Sequence, residues 1–255
     1  MARLPRGVEG FDRAAEEYER GRPDYPSDAV RWLVDRLPIR PGNRVVELAS
    51  GTGKLTRALL PTGAAVVAVE PTPGMRRVLH RLLPSVDLLA GMAEAIPLAD
   101  GCADAVVVGQ AFHWFRVPAA LEEIARVLRP HHALALVWNR RDATVPWMKA
   151  LGEVLRAHEA KESTSGRSEA WKASIAGDAR FSPLESATLV YAPWSTPDAL
   201  IARTLSVSFV ALLPPEEKAA VADEIRAIIE GEPSIAHRPE FPVPYRTEVY
   251  ATRRR

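Results

Sequence analysis

Between residues 44 and 138 two textures alternate along the chain. Short runs that are almost continuously apolar recur at residues 45–48, 64–69, 86–90, 104–109 and 133–138. Runs of that kind predict strands covered on both faces, because a half-exposed strand would alternate instead. Between them lie stretches with helical spacing at residues 54–60, 73–83 and 117–128. Pro73 suits a first helical turn, and Pro130 is expected to stop the third helix. Strand and helix alternating over short connections predict a doubly wound, mostly parallel α/β sheet with right-handed crossovers.

The flanks read differently. Residues 11–20 form an amphipathic pattern with Phe11, Ala14, Ala15 and Tyr18 on one face. Pro23 and Pro26 break it, and a second helix is expected over 28–37 with Ser27 as its cap. Beyond Asn139 the pattern predicts helices at 147–159, 197–212 and 215–229, a polar loop at 161–166, and strands at 187–192 and 245–252.

Composition narrows the function classes. The chain has 33 basic and 32 acidic residues, so no global field favours nucleic acid or an anionic membrane. A single cysteine, Cys102, excludes an internal disulfide and any multi-cysteine metal site. No apolar stretch reaches the roughly 20 residues of a membrane helix. The N-terminus has no signal-like core, so a cytoplasmic protein is expected. The closing Arg253-Arg254-Arg255 reads as a frayed, solvated end.

The densest chemical signal runs from Val45 through Glu47, Ala49, Ser50, Gly51 and Gly53 to Thr56. A strand enters a turn of small residues that opens a helix. Such a turn lets a ligand lie against the backbone at the strand's carboxyl end. Glu70 closes the second strand, where a carboxylate can accept both hydroxyls of a ribose. A dinucleotide enzyme would share this layout. The third glycine of its fingerprint is missing, however, and Glu47 before the turn can hold a cationic amino group.

With these motifs the chain resembles class I S-adenosylmethionine-dependent methyltransferases of type 11, and within them the small-molecule branch of trans-aconitate-type enzymes. The resemblance covers residues 11–139. It implies a seven-stranded Rossmann-like sheet, with residues 1–40 as a helical lid and 41–145 as the cofactor-binding core. Residues 146–255 would complete the sheet and carry a helical acceptor-site insertion. It implies S-adenosylmethionine as cofactor, and cofactor contacts from Glu47, Ala49, Ser50, Gly51, Gly53, Glu70, Pro71, Met75, Met92, Ala93, Gln110 and Trp114. In the lid, Tyr18, Arg22 and Tyr25 would close over the cofactor, Arg22 pairing its carboxylate. Many members have glycine where this chain has Ala49, and alanine argues against a left-handed backbone there. Met92 stands where an acid would take the adenine amino group, leaving sulfur and the Ala93 backbone for the ring.

The resemblance places residues 109–115 beside the methionine part of the cofactor and the acceptor. Trp114 and His113 are candidate pocket walls, and His113 is the first candidate base for a hydroxyl acceptor. Phe112 and Phe115 have a plain alternative, packing the next helix. Arg140 and Arg141 can orient an anionic acceptor. His131 and His132 lack a third ligand at metal spacing, so no metal is expected. The acceptor is expected to be a small molecule, with oxygen the favoured atom, and the protein a monomer or homodimer. Two other readings stay open: a cofactor-binding regulator without turnover, and a nicotinamide oxidoreductase. A nucleic-acid methyltransferase fits poorly, because the fourth strand ends in Gly109-Gln110-Ala111-Phe112 rather than a base-gripping Asn/Asp-Pro-Pro-Tyr-like run. Glu70→Ala is expected to abolish cofactor binding with little loss of stability.

Overall fold

A computed structural model describes residues 15–158 and 169–255. The expected features at Phe11 to Ala14, and the polar loop at 161–166, lie outside the described residues. Seven strands form one mixed, mostly parallel sheet: β1 Arg44–Leu48, β2 Ala65–Val69, β3 Asp87–Leu89, β4 Ala103–Gly109, β5 Leu128–Arg141, β6 Glu185–Tyr191 and β9 Tyr245–Arg253. Their order is β3-β2-β1-β4-β5-β9-β6. The order reverses at β1, which pairs in parallel with β2 on one side and β4 on the other. Ligands of open α/β sheets bind outside the strand carboxyl ends at such a reversal.

The helices are α1 Ala15–Gly21, α2 Ser27–Arg36, α3 Lys54–Leu59, α4 Pro73–Leu82, α5 Val117–Val127, α6 Pro146–Ala157, α7 Ala170–Ala176, α8 Pro197–Leu205, α9 Ser208–Ala211 and α10 Pro215–Gly231. None is long and apolar enough to cross a membrane. The described residues group into two compact units. One contains residues 24–139, 169–189 and 247–255, the other 15–23, 140–158 and 190–246. In the first, the central strands send alternate side chains to two cores. Val46, Leu48, Val106 and Val108 face one. Val45, Val66, Ala105 and Val107 face the other. This two-sided burial explains the continuous apolar runs. The second unit packs α6, α8 and α10 around Leu151, Leu200, Val221 and Ile225.

Several sequence expectations needed correction. Ser27 is the first residue of α2, and Pro26 takes the cap position without a side-chain bond. Pro130 does not end α5, because the chain is already extended at Leu128 and the proline lies on the exposed start of β5. His131 and His132 therefore sit in that strand, His131 at φ 65°, and His132 Nε2 lies 3.4 Å from Asp104. The stretch 197–212 is two helices, divided at Ser206 and Val207. The C-terminus is not frayed. The amide of Arg253 donates to Ser182 Oγ at 3.0 Å, and those of Arg254 and Arg255 to His132 O and Arg180 O at 2.7 and 2.8 Å.

Candidate active site

The carboxyl ends of β1, β2 and β4 bring together most of the expected site. The turn after β1 is built from left-handed residues: Ala49 at φ 51°, Gly51 at 58° and Gly53 at 86°. Ala49 thus adopts the conformation its side chain argued against, and glycine is what that geometry favours. Ala49→Gly is expected to raise stability by about 0.5–1 kcal/mol, because relief of left-handed strain exceeds the added freedom of the unfolded chain. A shift in the urea midpoint checks it. The two glycines differ in role. A side chain on Gly53 would run into Leu79 of α4 at 2.9 Å, whereas one on Gly51 meets nothing within 4 Å. Gly53 therefore serves helix packing, and Gly51 leaves open space.

Glu70 sits just past β2, only 4% exposed. Its Oε2 accepts the Gly51 amide at 2.8 Å. Its Oε1 accepts the Thr72 amide at 2.8 Å and the Thr72 hydroxyl at 2.6 Å. Burial lifts this carboxyl above its ordinary range, against the pull of those bonds. The expectation that Glu70→Ala would cost little stability is overturned, since three donors converge on it. Arg76 secures the same turn by donating to Glu70 O and Pro71 O at 2.8 and 2.7 Å. Met75, on α4, is buried.

Glu47 on β1 is 2% exposed. Its carboxylate accepts the hydroxyl of Thr56. Burial, with the charge of Glu70 adding to it, pushes this acid from 4.5 up to about 8. Ser50 is also buried, and its Oγ has no hydrogen-bond partner among the described residues.

At the end of β4, Gln110 holds φ 62°. A non-glycine residue in that region at a strand's carboxyl end marks stored strain of the kind found at functional sites. Its side chain donates to Asn139 O at 3.3 Å. Gly109 is required by a neighbour, since any Cβ there would collide with the hydroxyl of Tyr25. Gly109→Ala is expected to cost about 1–3 kcal/mol by overpacking, and Tyr25→Phe in the same chain to restore most of it. A double-mutant cycle in urea measures that coupling. Phe112 is fully buried against Trp171 and Phe115, so its packing role holds. His113 and Trp114 are partly buried in the 3-10 turn Phe112–Trp114, their rings 5.1 Å apart. Met92 lies in a turn where its carbonyl accepts the Ala95 amide at 3.1 Å, and Ala93 beside it is buried. Glu94 accepts the Arg116 amide at 2.7 Å and is structural. Tyr18 and Arg22 belong to the other unit, where the guanidinium lies 5.3 Å from the Tyr18 ring centre.

Sequence reasoning missed two residues. Asn139, at the carboxyl end of β5, donates to Asp24 O at 3.0 Å and accepts the Thr247 hydroxyl at 2.7 Å. Its polarity at a strand's carboxyl end was the available signal. Asp24 pairs with Lys54 at 3.0 Å and Arg57 at 2.8 Å on the helix that opens from the glycine turn. Burial opposes its ionisation, yet the two cations hold the carboxyl below its usual range.

The fold is that of the α/β methyltransferases. A solved methyltransferase of Anabaena variabilis from an antibiotic-biosynthesis pathway superposes with a TM-score of 0.66 at 21% identity, over 90% of this chain and 98% of that one. A type II methyltransferase of Anaeromyxobacter dehalogenans gives 0.64 at 23%, over 91% and 97%. Residues 46–136 match the methyltransferase domain of type 11. An uncharacterized methyltransferase of Mycobacterium tuberculosis is 38% identical over 238 residues, covering 93% of this chain and 92% of its own. A methyltransferase-like protein of Schizosaccharomyces pombe is 35% identical over 243 residues, covering 95% and 94%. The chain belongs to this methyltransferase family, whose cofactor is S-adenosylmethionine.

The described residues fit that cofactor. Open space at Gly51, an unpartnered Ser50 hydroxyl and two buried carboxyls line one sheet edge. Such an edge suits a group that is cationic at sulfur and bears ribose hydroxyls.

Proposed function

We propose that the chain transfers a methyl group to a small-molecule acceptor, with oxygen the favoured acceptor atom, and that Glu70 clasps the cofactor's ribose. The observation that carries this reading is the Glu70–Gly51 hydrogen bond, which sets a carboxylate across the glycine turn. An ionised carboxylate offers about four acceptor positions, of which the protein fills three. One remains on Oε2, and rotation of the Thr72 hydroxyl frees a second on Oε1. Two hydroxyls can then be received without moving the backbone.

When bound, S-adenosylmethionine supplies an activated methyl on a good leaving group. The protein's residues need only bind, align and exclude water. Glu47, protonated in the empty site below about pH 8, gives up its proton to pair with a cationic group over β1, Ser50 and Gly51 offer polar backbone and hydroxyl contacts, and Met92 with Ala93 flank the base. His113 receives the proton if the acceptor is a hydroxyl, with Trp114 as the adjoining wall. The small-molecule reading is supported by near-neutral net charge and by a demethylmenaquinone methyltransferase of Renibacterium salmoninarum, 38% identical over 130 residues that span 47% of this chain and 53% of that one. The test is titration calorimetry with S-adenosylhomocysteine and with NAD, followed by methyl-transfer assays over hydroxyl, amine, thiol and carboxylate acceptors. Binding of the first ligand alone and turnover on a hydroxyl compound are expected. NAD binding, or no turnover on any class, would contradict the proposal.

A further inference from the structure

The unit formed by residues 15–23, 140–158 and 190–246 holds a cluster of opposite charge to the glycine-turn edge. Arg203 on α8 is buried there. Its Nε donates to Gly21 O at 2.6 Å and its Nη1 to the Tyr245 hydroxyl at 3.1 Å. Helices α1 and α8 touch so closely at Gly21 that a side chain would fall 2.9 Å from the Arg203 Cα. Arg22 is the next residue, and its Nε is buried with no hydrogen-bond partner. From the other side, the Asp142 amide donates to Pro244 O at 3.1 Å. That bond ties the end of β5 to the start of β9 and brings Arg141 next to Tyr245. Desolvation, joined by the positive charges of Arg22 and Arg203 against the help of Tyr245, holds the Arg141 guanidinium down at about 10.

Among the described residues, none of these three guanidiniums forms an ion pair with a carboxylate. Gathering like charges out of water is unfavourable without a counter-ion. A planar, forked donor matches an oxyanion in two bonds at once, and two such donors match a doubly charged one. We infer that Arg22 and Arg141, held in place by Arg203 and Tyr245, bind an oxyanionic group, carboxylate or phosphate, of a ligand other than the cofactor. The anion site does not rest on the methyl-transfer reading above. The acids fitted to the cofactor, Glu47 and Glu70, belong to the other unit, whereas this cluster gathers only cationic side chains around Tyr245. Arg22 is thereby assigned to that other ligand rather than to the cofactor's carboxylate.

The test uses the full-length chain, with melting temperature and calorimetry as readouts. The probes are succinate, inorganic phosphate, S-adenosylhomocysteine and 5′-methylthioadenosine, at fixed ionic strength with chloride as control. Succinate or phosphate is expected to stabilise the wild type beyond chloride. Arg22→Gln and Arg141→Gln are each expected to weaken that binding about tenfold or more, through loss of charged hydrogen bonds. Without anion, both variants are expected to melt at or above the wild-type temperature, since each relieves repulsion. Affinity for S-adenosylhomocysteine should stay within about twofold, a shift of less than one hydrogen bond. Indifference of the wild type to both anions overturns the inference, as does a lower melting temperature of the anion-free variants, which marks the arginines as structural. Loss of S-adenosylhomocysteine affinity in the variants with methylthioadenosine unchanged also overturns it, by giving the carboxylate to the cofactor. Failure of the wild type to bind S-adenosylhomocysteine at all would sink the methyl-transfer reading and leave the anion result standing.

Discussion

Glu70→Ala is expected to weaken S-adenosylhomocysteine binding by at least ~100-fold, the loss of two charged hydrogen bonds to the ribose. The same change should lower the melting temperature. In the wild type the Gly51 and Thr72 amides and the Thr72 hydroxyl all end on this carboxylate. Alanine leaves two backbone donors unsatisfied in a buried turn, at about 1–3 kcal/mol each. For a chain of this size that amounts to a drop of roughly 5–10 °C. Calorimetry of binding and of unfolding reads both effects. Glu70→Gln separates them, because it keeps an acceptor for part of the turn while removing the charge. Affinity within about threefold of wild type in the alanine variant would remove Glu70 from the site.

The second large effect belongs to Glu47. In the folded chain this acid is raised from 4.5 to about 8, while in the unfolded chain it titrates near 4.5. Between those values the folded state holds a proton that the unfolded state has lost. Stability from this group is therefore full below about pH 4.5, falls as pH rises, and levels off above about 8. Each pH unit in that window costs about 1.4 kcal/mol. Glu47→Gln cannot titrate, and its amide oxygen still accepts the Thr56 hydroxyl. The variant should therefore be more stable than wild type at pH 8 by about 4 kcal/mol and nearly equal to it near pH 5. The acids held low, such as Asp24, Asp142 and Asp178, act below this window, so they do not mask the trend. Urea midpoints at pH 5, 6.5 and 8 give the comparison. Parallel pH profiles for the two proteins would show that Glu47 ionises normally.

How far the fold could be read follows from where the stabilising contacts lie along the chain. Four of the five core strands were legible because each is buried on both faces; the edge strand β3 is partly exposed and was read from Val86, Leu88 and Leu89. Their apolar runs need no knowledge of partners. Helix α7 was not, since its anchor Trp171 packs on Trp138 and Tyr250 from remote parts of the chain. The two-residue strands β7 Trp194–Ser195 and β8 Phe241–Pro242 are too short to show a period, and only their pairing defines them. The start of β5 was misread because Pro130 is a helix breaker by itself. An exposed strand end tolerates it equally well.

The candidate site divides the same way. Small residues after an apolar run, with an acid closing the next one, mark the glycine turn locally. The Gly51–Glu70 bond spans 19 residues and left no trace in the pattern. Ala49 misled because side-chain preference is weak against a turn fixed by its surroundings. Arg22, Arg141 and Arg203 are far apart in sequence, so their common environment emerges only from packing around Tyr245.

The decisive measurement is a crystal structure of the chain with S-adenosylhomocysteine. The account predicts electron density for a nucleoside against Gly51, with both ribose hydroxyls on the Glu70 carboxylate. A nucleoside found elsewhere, with Glu70 still bonded only to Gly51 and Thr72, would contradict it.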